Sequence, residues 1–239
     1  MTAINAFYDR DDRFAYIASD GAVFSYADGT VTALGGKVSL YRDHRIAWAF
    51  AGPEIISYIV AEVENQLADN LLVSQAVLLK AMESAFQRCR KKIAIGAPER
   101  EATGGNDMTV IAAVYLESEA RPAIYRIASN PAAIDGQPVN QWHEIEGVFI
   151  PSRVPAYIAD RGYWIDDAVA DSRALFRAQR HHDFEGMHSA PCVGGTCSLY
   201  RVGPDGIKAW DILQFADKVG ERADISDTGN DVLRDIEMI

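Results

Sequence analysis

Apolar and polar residues alternate through the first fifty positions of the chain. Residues 3–9 (AINAFYD) and 14–19 (FAYIAS) carry the period-two pattern of half-buried strands, with a charged loop between them. Residues 22–26 and 31–34 predict a second hairpin around Ala27-Asp28-Gly29, and 38–41 and 45–51 a third around Asp43-His44. The period changes at Gly52-Pro53. Ile55, Ile59, Val63 and Leu67 recur four apart and predict a helix over 54–68, with Pro53 suited to its first turn. A second helix starts at Ser74, an N-cap, and runs to about Ile95 on a stripe of Val77, Leu78, Ala81, Met82, Ala85, Phe86 and Cys89. A polar, Gly-rich loop over 96–107 follows. Strands return at 108–116, 122–127 and 141–150, helices at 152–160 and 165–181, and a last hairpin at 196–202 and 206–213. Beyond about residue 214 the pattern turns polar and acidic and reads as a tail.

Strands, two helices, strands, two helices and strands again fit two antiparallel sheets packed face to face, each covered outside by helices. Burial of both sheet faces suits the unbroken apolar runs at 45–51 and 108–116. The expectation is therefore an α+β protein, a four-layer αββα sandwich, with one domain over 1–213 and an acidic tail over 214–239.

Composition narrows the function classes. The chain has 239 residues, 34 acidic against 23 basic, for a net charge of −11. That balance disfavours nucleic acid, which needs a basic face. The one basic cluster, Arg88, Arg90, Lys91 and Lys92, falls at a helix end, where it complements the helix dipole. No apolar run reaches membrane-spanning length and no leader pattern opens the chain, so no membrane partner is expected. Three cysteines argue against a disulfide framework and for a reducing cytoplasm.

The chemistry of interest begins at Met1-Thr2. Removal of Met1 would leave a threonine bearing both a hydroxyl nucleophile and a free amine. Such an amine titrates near pH ~8, so part of it is neutral and able to take the hydroxyl proton. A nearby cation would tune that amine and a carboxylate would hold the cation; Lys37 and Asp20 are the candidates if adjacent strands bring them to Thr2. A rival cluster is His181, His182, Asp183, His188, Cys192 and Cys197. Its Cys-x4-Cys spacing is not a usual zinc knuckle, so no metal is expected. A Cys192 thiol with His188 lacks an oxyanion element. Gly35-Gly36 and Gly104-Gly105 stand outside the strand–loop–helix context of a phosphate loop, and no cofactor is expected.

These features together resemble the proteasome β-subunit family, including its bacterial HslV-type relatives, within the N-terminal-nucleophile hydrolases. Met-Thr opens a strand. Tyr16-Ile17-Ala18-Ser19-Asp20 is similar to the family's apolar run ending in Ala-x-Asp, and Lys37 sits where its lysine begins the next strand. Ala49-Phe50-Ala51-Gly52 before a helix resembles the family's Ala-Gly turn. Gly194-Gly195-Thr196-Cys197-Ser198, then Asp205-Gly206, resembles its Gly-Gly strand and following hairpin. The family's Asp-x-x-Ser ahead of Gly-Gly is Ala190-Pro191-Cys192-Val193 here. The resemblance implies the same sandwich fold, a homo-oligomeric ring or related assembly, and hydrolysis of peptide or unfolded-protein substrates. In it Thr2 attacks, Lys37 tunes the amine, Asp20 holds Lys37, and the Gly52 N–H stabilises the oxyanion. The alternative is a catalytically silent subunit on the same fold, kept for assembly.

Overall fold

The structure is a computed structural model that describes residues 3–9, 11, 13–25, 28–52, 56–67, 73–96, 107–131, 136–150, 154–180 and 193–236. Twelve strands are present among them: β1 (Ile4–Tyr8), β2 (Ala15–Ser19), β3 (Ala22–Phe24), β4 (Val31–Leu34), β5 (Val38–Tyr41), β6 (Ile46–Ala51), β7 (Thr109–Leu116), β8 (Arg121–Ala128), β9 (His143–Glu144), β10 (Thr196–Gly203), β11 (Gly206–Gln214) and β12 (Asn230–Asp235). The helices are α1 (Ile56–Leu67), α2 (Gln75–Gly96), α3 (Ala156–Asp160) and α4 (Ala168–Arg180).

The strands make three sheets. One has the order β1-β2-β10-β11-β12, a second β5-β6-β7-β8-β9, and β3-β4 stands as a separate two-stranded sheet. This corrects the expected four-layer αββα sandwich: the described residues form mostly antiparallel sheet, in three sheets with four helices. The first difference is a third sheet: the chain leaves the first sheet at Gly21, pairs β3 with β4 alone, and enters the second sheet after Gly35-Gly36. Gly21 is pressed so closely on β10 that a Cβ there would lie 2.6 Å from the Thr196 carbonyl oxygen. The second expected helix pair is also reduced, since α3 has only five residues. Residues 141–150, expected as one strand, supply the two-residue β9 and a bridge from Phe149 to Ala6. Residues beyond 214, which had read as a tail, include β12 on the edge of β11.

The contacts divide the chain into two compact units. The first holds residues 1–49, 112–124 and 145–239, and the second 50–111 and 125–144. In the first, α4 lies on β10 and β11. Phe7, Leu175, Phe176, Leu199, Ile212 and Leu213 are among the residues of its closed apolar core. Phe7 stacks on Tyr16 with ring centroids 5.2 Å apart. The outer side of β1 is paired as well: Ala6 and Phe149 exchange two main-chain hydrogen bonds, of 2.8 and 2.7 Å. Nearby, the Tyr8 hydroxyl accepts the Ile124 N–H at 2.7 Å and donates to the Ile145 carbonyl at 3.2 Å.

In the second unit α1 and α2 pack on one another. Ser74 caps α2 as its sequence position suggests, its Oγ accepting the Val77 N–H at 3.3 Å. Arg88 of α2 pairs with Glu62 of α1. The Trp142 indole N–H donates to the Leu79 carbonyl at 2.9 Å, and its ring meets Tyr125 edge-on.

Helix α4 carries polar residues on its buried face. Leu175 and Phe176 are followed one turn later by Gln179 and Arg180, all four buried. Gln179 reaches β1, where its amide and that of Asn5 exchange two hydrogen bonds, at 2.7 and 3.0 Å, with both residues fully enclosed. The reciprocal pair leaves neither side chain with a stranded amide, which is the condition for burying it. Gln179→Ala strands the Asn5 amide and is expected to cost about 1–3 kcal/mol, read as a fall in the urea midpoint. Asn5→Leu with Gln179→Met removes both polar groups and should recover most of that loss; a double variant no more stable than Gln179→Ala would show that the cost is steric.

Candidate functional site

Three chain segments meet where β2 ends. The pairing of β2 with β1 sets Ile4 opposite Ser19, and its pairing with β10 sets Ser198 opposite the same Ser19. Asp20, the next residue, therefore emerges between the start of β1 and the glycines ahead of β10. Asp20 is 1% exposed, and its carboxylate is satisfied from four directions. Oδ1 accepts the Ala3 N–H at 3.0 Å and the Lys37 Nζ at 2.8 Å. Oδ2 accepts the Gly194 N–H at 3.2 Å and the Ala22 N–H at 3.3 Å. Three of these donors are main-chain groups, so the strand ends themselves build the anion site.

Lys37 lies between Gly35-Gly36 and β5. Its side chain is 10% exposed. Besides Asp20, its ammonium donates to the Ala22 carbonyl. An ammonium has three donors, and among the described residues these two bonds leave the third uncommitted. The approach that places Lys37 is held by the main chain: Gly35 N–H donates to the Gly21 carbonyl at 2.8 Å, and Gly21 N–H to the Gly194 carbonyl at 2.9 Å. Thus Gly21, Gly35 and Gly194 zip together beneath the Asp20–Lys37 pair.

Of the residues singled out by sequence, Asp20 and Lys37 are in direct contact. Thr2 lies outside the described residues; Ala3, bonded to it in the chain, donates to Asp20. Gly52 belongs to the second unit. Its glycine identity has a local cause: φ is +147°, and a Cβ would fall 2.9 Å from the Asp107 carbonyl oxygen and 3.0 Å from the Phe50 ring. The rival residues His181, His182, Asp183, His188 and Cys192 also lie outside the described residues, as do Gly104 and Gly105. Cys197, on β10, is completely buried. Burial pushes its thiol well above the ordinary cysteine range; the Asp20 charge adds to this, and Lys37 and Arg180 offset part of it. A neutral, enclosed thiol is a poor nucleophile and a poor metal ligand.

Sequence reasoning missed the second buried ion pair of the first unit. Arg180 and Asp217 are 37 residues apart, and neither belongs to a motif. The available signal was positional: Gln179 and Arg180 fall where the helical stripe through Leu175 and Phe176 demands apolar side chains. A charge at such a position implies a buried partner.

Comparison with known proteins bears on the fold alone. No protein-family model matches the chain, and no curated protein matches it. Solved structures do. Anbu from Hyphomicrobium sp. strain MC1 is 14% identical with a TM-score of 0.56, over 85% of this chain and 82% of that one. Anbu (ancestral beta-subunit) from Yersinia bercovieri is 11% identical with a TM-score of 0.57, over 87% of this chain and 82% of that one. The resemblance to HslV-type subunits is corrected by these matches, because Anbu proteins are proteasome-like but a distinct family. Motifs as short as Ala-x-Asp and Gly-Gly carry too little sequence to separate one family from another. At this identity the likeness establishes the fold, which is that of the proteasome-like Anbu proteins.

Proposed function

We propose that the protein is a proteasome-like N-terminal-threonine hydrolase, most simply a peptidase, with Thr2 as nucleophile once Met1 is removed. One observation carries the reading: the buried Lys37–Asp20 pair, 2.8 Å long, whose carboxylate also binds the main-chain nitrogen of Ala3, the residue following Thr2. In this reading Thr2 Oγ attacks the carbonyl carbon of an amide. The Thr2 amine takes the hydroxyl proton and passes it to the departing nitrogen, so an acyl ester forms on Thr2 as the C–N bond breaks. Water then releases the acyl group. On this reading Lys37 supplies the positive charge that keeps part of the Thr2 amine unprotonated and favours a developing negative oxygen. Asp20 holds Lys37 in place. Gly52 as oxyanion donor, peptide or unfolded-protein substrates, a homo-oligomeric assembly and a cytoplasmic setting belong to the same reading. The likeness in fold to Anbu, titled an ancestral beta-subunit, supports it. Among the described residues no helix is long and apolar enough to cross a membrane.

A second reading is a silent subunit on the same fold. The observation favouring it is that Asp20 is saturated by internal donors, as a purely structural carboxylate would be. The two readings part at the N-terminus. Mass spectrometry of the purified protein should show loss of one methionine. Thr2→Ala should then lower turnover of short acyl-peptide reporters by about a thousandfold and abolish labelling by electrophiles that capture N-terminal threonines. Labelling that persists in Thr2→Ala rules out Thr2 as the nucleophile.

Asp20 gives an independent check. Asp20→Asn keeps the side-chain volume but loses the charge that holds Lys37, and its amide nitrogen must face a donor. Turnover is expected to fall about 10²–10³-fold, with a folded protein by circular dichroism. Wild-type turnover in this variant would remove Lys37 and Asp20 from the mechanism.

A further inference from the structure

Two charged side chains are sealed inside the first unit with no part in the chemistry above. Arg180 closes α4, and Asp217 follows β11 by three residues. Their side chains are 0% and 2% exposed. The pair is bidentate, with Nη2 to Oδ1 at 2.7 Å and Nη1 to Oδ2 at 2.9 Å. The guanidinium also donates to the Val193 carbonyl at 2.6 Å and the Asp224 carbonyl at 2.8 Å. It lies over the Phe215 ring, 4.5 Å from the centroid. A buried ion pair is a weak source of stability compared with apolar residues of the same volume, so what it positions is the more telling question.

What it positions is the main chain beside Asp20. Asp217 Oδ2 accepts the Gly195 N–H at 2.8 Å, and Arg180 holds the Val193 carbonyl. The peptide groups on both sides of Gly194 are thereby fixed. Gly194 is left with its N–H on Asp20 Oδ2, at 3.2 Å, and its carbonyl on the Gly21 N–H, at 2.9 Å. The fit is close: a Cβ on Gly194 would lie 2.3 Å from Asp217 Oδ2 and 2.8 Å from Arg180 Nη1. One carboxylate oxygen thus holds Gly195 while another, on Asp20, holds Gly194.

We propose that the Arg180–Asp217 pair is a positioning device that clamps Gly194 against Asp20 and so fixes where Lys37 points. The catalytic consequence rests on the threonine-hydrolase reading, whereas the clamp itself does not. Neither residue touches the reacting groups; both act through Gly194 and Asp20.

Asp217→Asn is the direct test, because it preserves shape while removing the charge. Arg180→Lys is the second variant; it keeps the charge but loses the fork, and it carries the same measurements if Asp217→Asn does not fold. Two readouts are independent of turnover. Peptide-level hydrogen exchange should show lost protection at Gly194 and Gly195. Acetylation by an acetyl ester, followed by mass spectrometry, should modify Lys37 about tenfold faster while leaving exposed Lys80 unchanged. A third readout is steady-state turnover of an acyl-peptide reporter, counted per site titrated by a threonine-directed electrophile. There kcat should fall roughly 10–100-fold with KM unchanged. Unchanged exchange at the two glycines, or unchanged Lys37 reactivity, overturns the clamp. A loss of kcat that vanishes once titrated sites are counted overturns the catalytic consequence, since the pair would then only hold the fold together. If Thr2→Ala turns over like the wild type, the threonine reading fails by itself, and the Lys37 footprint still decides the clamp.

Discussion

The Asp20 carboxylate is the constraint on which the first unit turns. A buried carboxylate must be surrounded by donors, and here they come from four separate stretches of chain: Ala3, Ala22, Lys37 and Gly194. Each marks a boundary. Ala3 precedes β1, Ala22 opens β3, Lys37 precedes β5 and Gly194 stands ahead of β10. The carboxylate therefore joins the entry points of strands that belong to three different sheets. Moving any one of them would leave an unmet acceptor or an unmet donor in a closed space. That shared cost holds these chain ends together, alongside the apolar contacts of Ala3 and Val193 in one cluster and Ala22 and Phe24 in another.

Arg180 and Asp217 extend the same logic outward. Arg180 spends four of its five donors on Asp217, Val193 and Asp224, and Asp217 also accepts the Gly195 N–H. The two buried carboxylates are linked through consecutive glycine peptides. Glycine is needed because main chain, the charged side chains of Asp217 and Arg180, and the Phe24 and Leu34 side chains lie at contact distance, and Gly195 further adopts φ +64°. Polar burial on this scale is unusual for an ordinary core. It leaves the Val193 and Gly195 carbonyls and the Gly194 and Gly195 N–H groups all hydrogen-bonded.

Much of the element order was legible in the alternation of apolar residues. The strands β1 to β8, β10 and β11 fall near the expected spans, β6 and β7 on apolar runs rather than on alternation, and α1, α2 and α4 fall where helical stripes are expected. What periodicity could not say was which strands share a sheet. β1-β2 and β5-β6 read alike, yet they enter different sheets, because that choice is made by close backbone approach at Gly21. β12 was invisible for a different reason: Asn230–Asp235 is an edge strand, mostly exposed, and needs no apolar face. The Asp20–Lys37 contact was legible because both residues end or begin strands in a recognisable pattern. The Arg180–Asp217 contact was not, since long-range pairing of charges leaves no local spacing.

The Tyr8 hydroxyl has a consequence for the other end of its strand. It sits in a main-chain gap between Ile124 and Ile145, five residues from the nitrogen of Ala3 that meets Asp20. Strand side chains alternate in direction, so a slip of β1 by one residue would turn that hydroxyl away and present Phe7 to the gap. The aromatic residue thus acts as a pawl. It stops the strand from sliding along its neighbours, and so fixes where the Ala3 nitrogen meets Asp20.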